Sequence, residues 1–319
     1  MKKHKNLLLS LITLSILTAC GGESSNNNTD ISTPDPEPTK SIGVFIDSPI
    51  INIGYRTETL EGVTNESGEY EYLPDETVTF FIGDLELPTV TGKEVITPLE
   101  LAESSFVNDA KVVNIIRLLQ TLDQDGDPNN GLTITDTAKT TAYTSTDIDF
   151  SLSEIDFENL SSIDALIRDA GLDNPVEELV TTADAIAHFQ KELDAAQIEN
   201  KLQVFTSELL EGKTLYSIYY EENENICIAE QGYMADTVSF KVWSYNSDGS
   251  WNAGCPFDEA ESYETPYVIN EEGKIVWTEA EWWFVLNSYN NEQYTVTDPD
   301  GTYLMYLSKD GINSMLSKD

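Results

Sequence analysis

Asp123, Asp125 and Asp127 alternate along one short stretch, and Asn129 continues the spacing. Oxygen-bearing side chains at every second residue suit a hard divalent cation, which gathers about six to eight oxygens at roughly 2.3–2.6 Å. The run follows an apolar segment ending at Leu122, so the acid falls at a predicted helix C-terminus. There the helix dipole disfavours negative charge by ~0.3–1 kcal/mol per group. Calcium is the cofactor this spacing points to. A solvated acidic turn, in a chain with 57 acidic residues, is the competing reading.

Catalytic chemistry has fewer anchors. His188 is the one histidine beyond the N-terminal His4, and it lies in a helical pattern beside Phe189. A serine triad would need it, yet no GxSxG stands in the chain to supply a nucleophile elbow. It reads as structural, and no residue is assigned a catalytic role. Paired carboxylates could in principle hydrolyse glycosides, but among so many acids no pair stands out.

All five tryptophans, Trp243, Trp251, Trp277, Trp282 and Trp283, fall in the last third, with eleven of the 15 tyrosines. Such a concentration could line a groove that stacks on rings or encloses an apolar ligand; the alternative is a core filled with large side chains. Trp282 and Trp283 are neighbours on a predicted strand, so one of them must point outward. Cys227 and Cys255 occupy the same region and are expected to form a disulfide. No CxxC spacing exists to suggest redox catalysis or a zinc knuckle.

The formal net charge is −40, spread along the chain. A surface so negative repels phosphates, which excludes nucleic acid as a partner.

The elements that must position these residues fall into an α+β, multi-domain order. Residues 41–95 read as a small β-sandwich, with alternation at Gly43–Ile46 and Glu69–Tyr72 and a third strand at Thr77–Ile82. Residues 96–200 switch to a helical period. Val112, Ile115, Leu119 and Leu122 are expected on one face, with Asn108 as N-cap. Further helices are predicted from Ser161 towards Gly171 and from Thr181 through Leu193. Residues 201–319 return to short strands with turns at 247–249, 271–273 and 298–301, predicting an antiparallel meander or barrel.

The N-terminus carries an address. Lys2, Lys3, His4 and Lys5 precede an 11-residue apolar run, Leu7 to Leu17, too short for the ~20 residues a bilayer span needs. Leu17-Thr18-Ala19-Cys20 resembles the lipobox of bacterial lipoproteins. That resemblance implies that residues 1–19 are removed and Cys20 carries lipid. Gly21, rather than Asp, resembles the pattern sent to the outer membrane of Gram-negative bacteria. Residues 20–40 then form a Gly/Ser/Asn-rich and Pro-rich tether.

Further resemblances follow. TNESGEYEY resembles the signature of carboxypeptidase-regulatory-like β-sandwich modules, which implies a spacer or binding platform. FIDSPI, GYRT and NIIRLLQTLDQDGDPNNG resemble an adhesin-like region of lipoproteins from marine-type gammaproteobacteria. The acidic loop resembles an EF-hand or dockerin start. It departs at Pro128, where glycine belongs, and at Ile134, where a bidentate glutamate belongs, so it is not an EF-hand. The C-terminal meander resembles the lipocalin-like barrels in architecture.

The expectation is a membrane-anchored, non-enzymatic binding or adhesion module facing a glycan, matrix or protein ligand. The alternatives are a lipocalin-like carrier of a small apolar ligand and a carboxylate-dependent glycoside hydrolase.

Overall fold

A computed structural model describes residues 39–142, 145, 147–222, 225–255, 262–280 and 282–317. The expected export signal, Cys20 and most of the expected tether lie outside the described residues. The fold is α+β, and its C-terminal part is a closed eight-stranded antiparallel barrel.

The first part builds two small sheets and a two-strand parallel pair, Ile50–Ile51 with Leu132–Thr133. Ser41–Phe45 pairs antiparallel with Glu69–Tyr72 and parallel with Val95–Ile96. The second sheet centres on Thr77–Ile82, paired with Gly54–Arg56, Leu85–Glu86 and Val90–Thr91. Phe45 and Phe80, both fully buried, stack between the sheets at 4.3 Å.

Eight helices occur among the described residues. They are α1 (Pro98–Ala102), α2 (Ala110–Thr121), α3 (Asp136–Thr141), α4 (Glu154–Glu158), α5 (Ser161–Arg168), α6 (Thr182–Ala195), α7 (Ser207–Leu210) and α8 (Lys309–Leu316). The centre of this part is α2, where every residue but Lys111 is buried. Ile115, Leu118, Leu119 and Leu122 join a core shared with Phe45, Phe80 and, from α5, Ile163 and Leu166. Val112 and Ile116 instead pack with Ala185, Phe189 and Leu193 of α6. The single face expected from the sequence is thus two faces, because elements cover α2 on both sides. Its cap also differs from expectation. Asp109 accepts the Lys111 backbone N–H at 3.0 Å, while Asn108 exchanges two 2.7 Å hydrogen bonds with the Gln203 backbone. The Asn108 amide is fully buried and serves the crossover into the barrel.

The barrel runs in sequence order through Thr214–Glu222, Asn225–Tyr233, Thr237–Tyr245, Ser262–Ile269, Ile275–Trp277, Trp282–Tyr289, Gln293–Asp298 and Gly301–Tyr306. The last strand returns to the first at Tyr216–Tyr306 and closes the wall. Strand alternation sends Leu215, Ala229, Val238, Phe284 and Met305 inward. Ile228 and Tyr306 face outward and are covered by Ile312 of α8.

Cys227 and Cys255 form the expected disulfide, with Cα atoms 5.8 Å apart and a sequence separation of 28. In the chain-entropy model a loop of this length is worth ~3.5 kcal/mol. The double variant Cys227→Ser/Cys255→Ser is therefore expected to lose about that much in urea unfolding. An unchanged midpoint would count against the bridge.

Candidate functional site

One end of the barrel opens into a pocket of about 610 Å³. Phe240, Tyr263, Trp277, Trp282, Phe284 and Tyr303 supply its rings, and Ser217, Gln231 and Asp298 add polar atoms. On the strand Trp282–Tyr289, alternation turns Trp282 and Phe284 towards this interior. Trp277 is 5% exposed, and its indole lies beside the buried Tyr233 hydroxyl. An aromatic-lined pocket with a few polar groups is the usual form of a small-molecule site.

Asp298 is the buried acid of this pocket, and its oxygens are engaged. Oδ1 accepts the N–H groups of Asp300 and Gly301, and Oδ2 accepts the Tyr303 hydroxyl at 3.0 Å. Burial, then the Asp298 charge, pushes the Tyr303 phenol well up. This carboxylate organises the turn at 298–301, a different task from proton transfer.

The five tryptophans do not form one surface. Trp277 and Trp282 line the pocket. Trp283 faces out, with the Lys274 ammonium 5.8 Å from its ring centre. Trp243 and Trp251 sit under α8, where Lys309 Nζ lies 4.5 and 4.7 Å from their rings and 5.9 Å from that of Tyr216. Trp251 Nε1 also donates to Asn313 Oδ1 at 2.8 Å, so this pair anchors the last helix. Sequence reasoning missed Phe240, Gln231 and Tyr303, whose pattern is that of any half-buried strand; closure of the barrel is what brings them together.

The acidic loop follows α2 directly. Asp123 is 2% exposed; its Oδ1 accepts the Thr133 N–H at 2.8 Å, Oδ2 accepts from no N–H or O–H, and the carboxyl lies within hydrogen-bond reach of Asp125. Burial, reinforced by the Asp125 charge, pushes its carboxyl up to about 6. Asp125 is exposed and accepts from Asn130 Nδ2 and the Asp127 N–H. Asp127 accepts from Asn129 Nδ2, and Asn129 Oδ1 accepts from Lys191 on α6. Among the described residues, no three acidic, histidine or cysteine side chains already converge as a metal cage.

His188 lies beside this loop and touches Ser48, with Nε2 to Oγ at 3.1 Å. Ser48 is 2% exposed, has φ of +58°, and donates its hydroxyl to the Pro128 carbonyl at 2.6 Å. With that proton committed, the imidazole must donate to Oγ, the reverse of what a general base does. Burial lowers the His188 pKa. The arrangement ties the loop to α6.

Two buried ionisable side chains escaped sequence reasoning. Asp47 is fully buried and accepts from Gln120 Nε2 at 3.0 and 3.2 Å. Burial pushes its carboxyl up to about 8, the Gln120 hydrogen bond offsets part of that, and Glu192 adds to it. Arg117 of α2 is held by Glu154 and Glu158 of α4 at 3.4 and 3.0 Å and by the Val180 carbonyl at 2.7 Å.

A scan of known protein families and comparisons with curated proteins and with solved structures find no match for this chain.

Proposed function

We propose that the chain is an envelope lipoprotein, tethered through Cys20 to the outer membrane, that binds a small, largely apolar ligand in the mouth of its barrel. The pocket carries this reading: two indoles and four further rings surround about 610 Å³, with Gln231 and Ser217 able to orient a guest. Trp277 and Trp282 give a guest two indole faces to stack against. The signal, the lipobox-like Leu17–Cys20 and the tether support the anchor. Among the described residues no helix is long and apolar enough to cross a membrane.

Titration with the neutral apolar dye N-phenyl-1-naphthylamine tests the pocket. One saturable site is expected, weakened about tenfold or more by Trp282→Ala, the equivalent of ~1.4 kcal/mol. Trp283→Ala should leave it unchanged. Absence of saturable binding, or equal loss in both variants, would reject this pocket. For the anchor, labelled palmitate should mark the parent and not Cys20→Ser.

A second reading has its own observation. Val268, Val276 and Trp283 are register neighbours across three adjacent strands on the outer wall, and Val268 is 49% exposed. An apolar stripe of this kind suits adhesion to a macromolecule. Adhesion that Trp283→Ala abolishes and Trp282→Ala spares would favour it.

A further inference from the structure

We propose that loop 123–129 holds one calcium ion between the carboxylates of Asp123 and Asp125, with Asp127 and Asn129 completing the protein ligands. The inference is independent of the barrel pocket.

The buried end of the loop carries it. Asp123 is sealed from solvent and fixed in place by its bridge to Ile134 and by the Thr133 N–H on Oδ1. Its other oxygen, Oδ2, is buried and accepts from no N–H or O–H, and the carboxyl lies within hydrogen-bond reach of the Asp125 carboxylate. The carbonyl end of α2 immediately precedes it, and the last turn of α2 carries no basic residue. A buried carboxylate, a second carboxylate against it and the negative end of a helix are mutually unfavourable. A single divalent cation reverses all three.

The rest of the loop is built to close. Gly126 has φ of +73° and meets nothing within 4 Å, so the chain doubles back there without strain. Pro128 is held from the far side by Ser48, and Asn129 can ligate once calcium displaces the Lys191 ammonium from its Oδ1. Asp125, Asp127 and Asn129 are exposed and joined chiefly by loop hydrogen bonds, which a stronger cation can replace. All-oxygen donors in an irregular loop suit calcium better than magnesium, which demands a near-regular octahedron. Ile134 is fully buried and gives no ligand, so affinity is expected in the weak range of extracellular sites, about 10⁻⁴–10⁻³ M.

The test uses the chelator-treated mature chain in calorimetry and thermal melts, with calcium or magnesium at matched ionic strength. One calcium per chain is expected, with Tm rising roughly 5–10 °C at a hundredfold excess over Kd. Asp125→Asn should have a metal-free melting point equal to or above the parent's, since one of the facing charges is gone, and lose at least tenfold in affinity. Glu271→Gln, on an exposed turn of the barrel, should behave as the parent. No binding heat and an unchanged melt would overturn the proposal. So would equal responses from the parent and Asp125→Asn, or from calcium and magnesium, since these report only screening of the −40 charge.

Discussion

Replacing Arg117 with methionine is expected to destabilise the fold by about 3–5 kcal/mol, the usual cost of removing one partner from a buried ion pair. Methionine keeps most of the apolar stem, so the loss reports on charge and hydrogen bonds. Arg117 is 6% exposed at its side chain and Glu154 is 9% exposed. Without the guanidinium, Glu154 would keep only the hydroxyls of Thr182 and Ser288 as donors, the latter at 3.1 Å. Ser288 belongs to a barrel strand and Thr182 to α6, so one carboxylate joins the helices to the barrel wall. The double variant Arg117→Met/Glu154→Gln should recover a large part of the loss, because no charge is then buried alone. Urea unfolding of the two single variants and the double variant measures that coupling. A loss below about 1 kcal/mol for Arg117→Met would show that the pair contributes little.

The second large effect is a pH dependence centred on Asp47. Its folded pKa lies at about 8 against an ordinary value of 3.8, with burial as the main cause. The folded state therefore retains a proton that the unfolded chain releases. Its stabilising contribution is complete below pH 3.8 and is lost as pH rises through about 8. At ~1.36 kcal/mol per pH unit, the loss across that range is on the order of 5 kcal/mol. Asp47→Asn replaces the neutral acid with a neutral amide of the same shape. It should match the parent near pH 4 and exceed it by several kcal/mol above pH 8. Every other acid titrates alike in the two proteins, so the difference between their urea midpoints isolates residue 47. Parallel curves from pH 4.5 to 8.5 would refute the assignment.

These two residues mark a boundary in what could be read from the chain. Arg117 and Gln120 stand in a run of apolar residues, where a polar side chain signals only that something must satisfy it. Its partners, Glu154 for one and Asp47 for the other, lie 37 and 73 residues away. Such distances cannot be inferred from local pattern. The strands of the barrel were legible, because alternation and Asn/Asp/Gly turns are local properties. The turns expected at 247–249, 271–273 and 298–301 fall at junctions between observed strands. Helix α8 went unread because its run Lys309–Leu316 is short and holds Gly311. It is stabilised by packing Ile312 onto Ile228 and Tyr306.

The sequence by itself determined the α+β order, the succession of antiparallel strands, the cysteine pair and the rule that Trp282 and Trp283 face opposite ways. Each follows from residue type and a period of two or 3.6, which act within a few residues of chain. Only the tertiary structure decided that α2 is covered on both sides, that the wall closes, and that the five tryptophans divide among a pocket, an outer face and the seat of α8. It also decided that Asp123 is buried with an oxygen left over. Burial is set by which distant segments pack together, and that depends on the summed free energy of the whole chain rather than on any stretch of it.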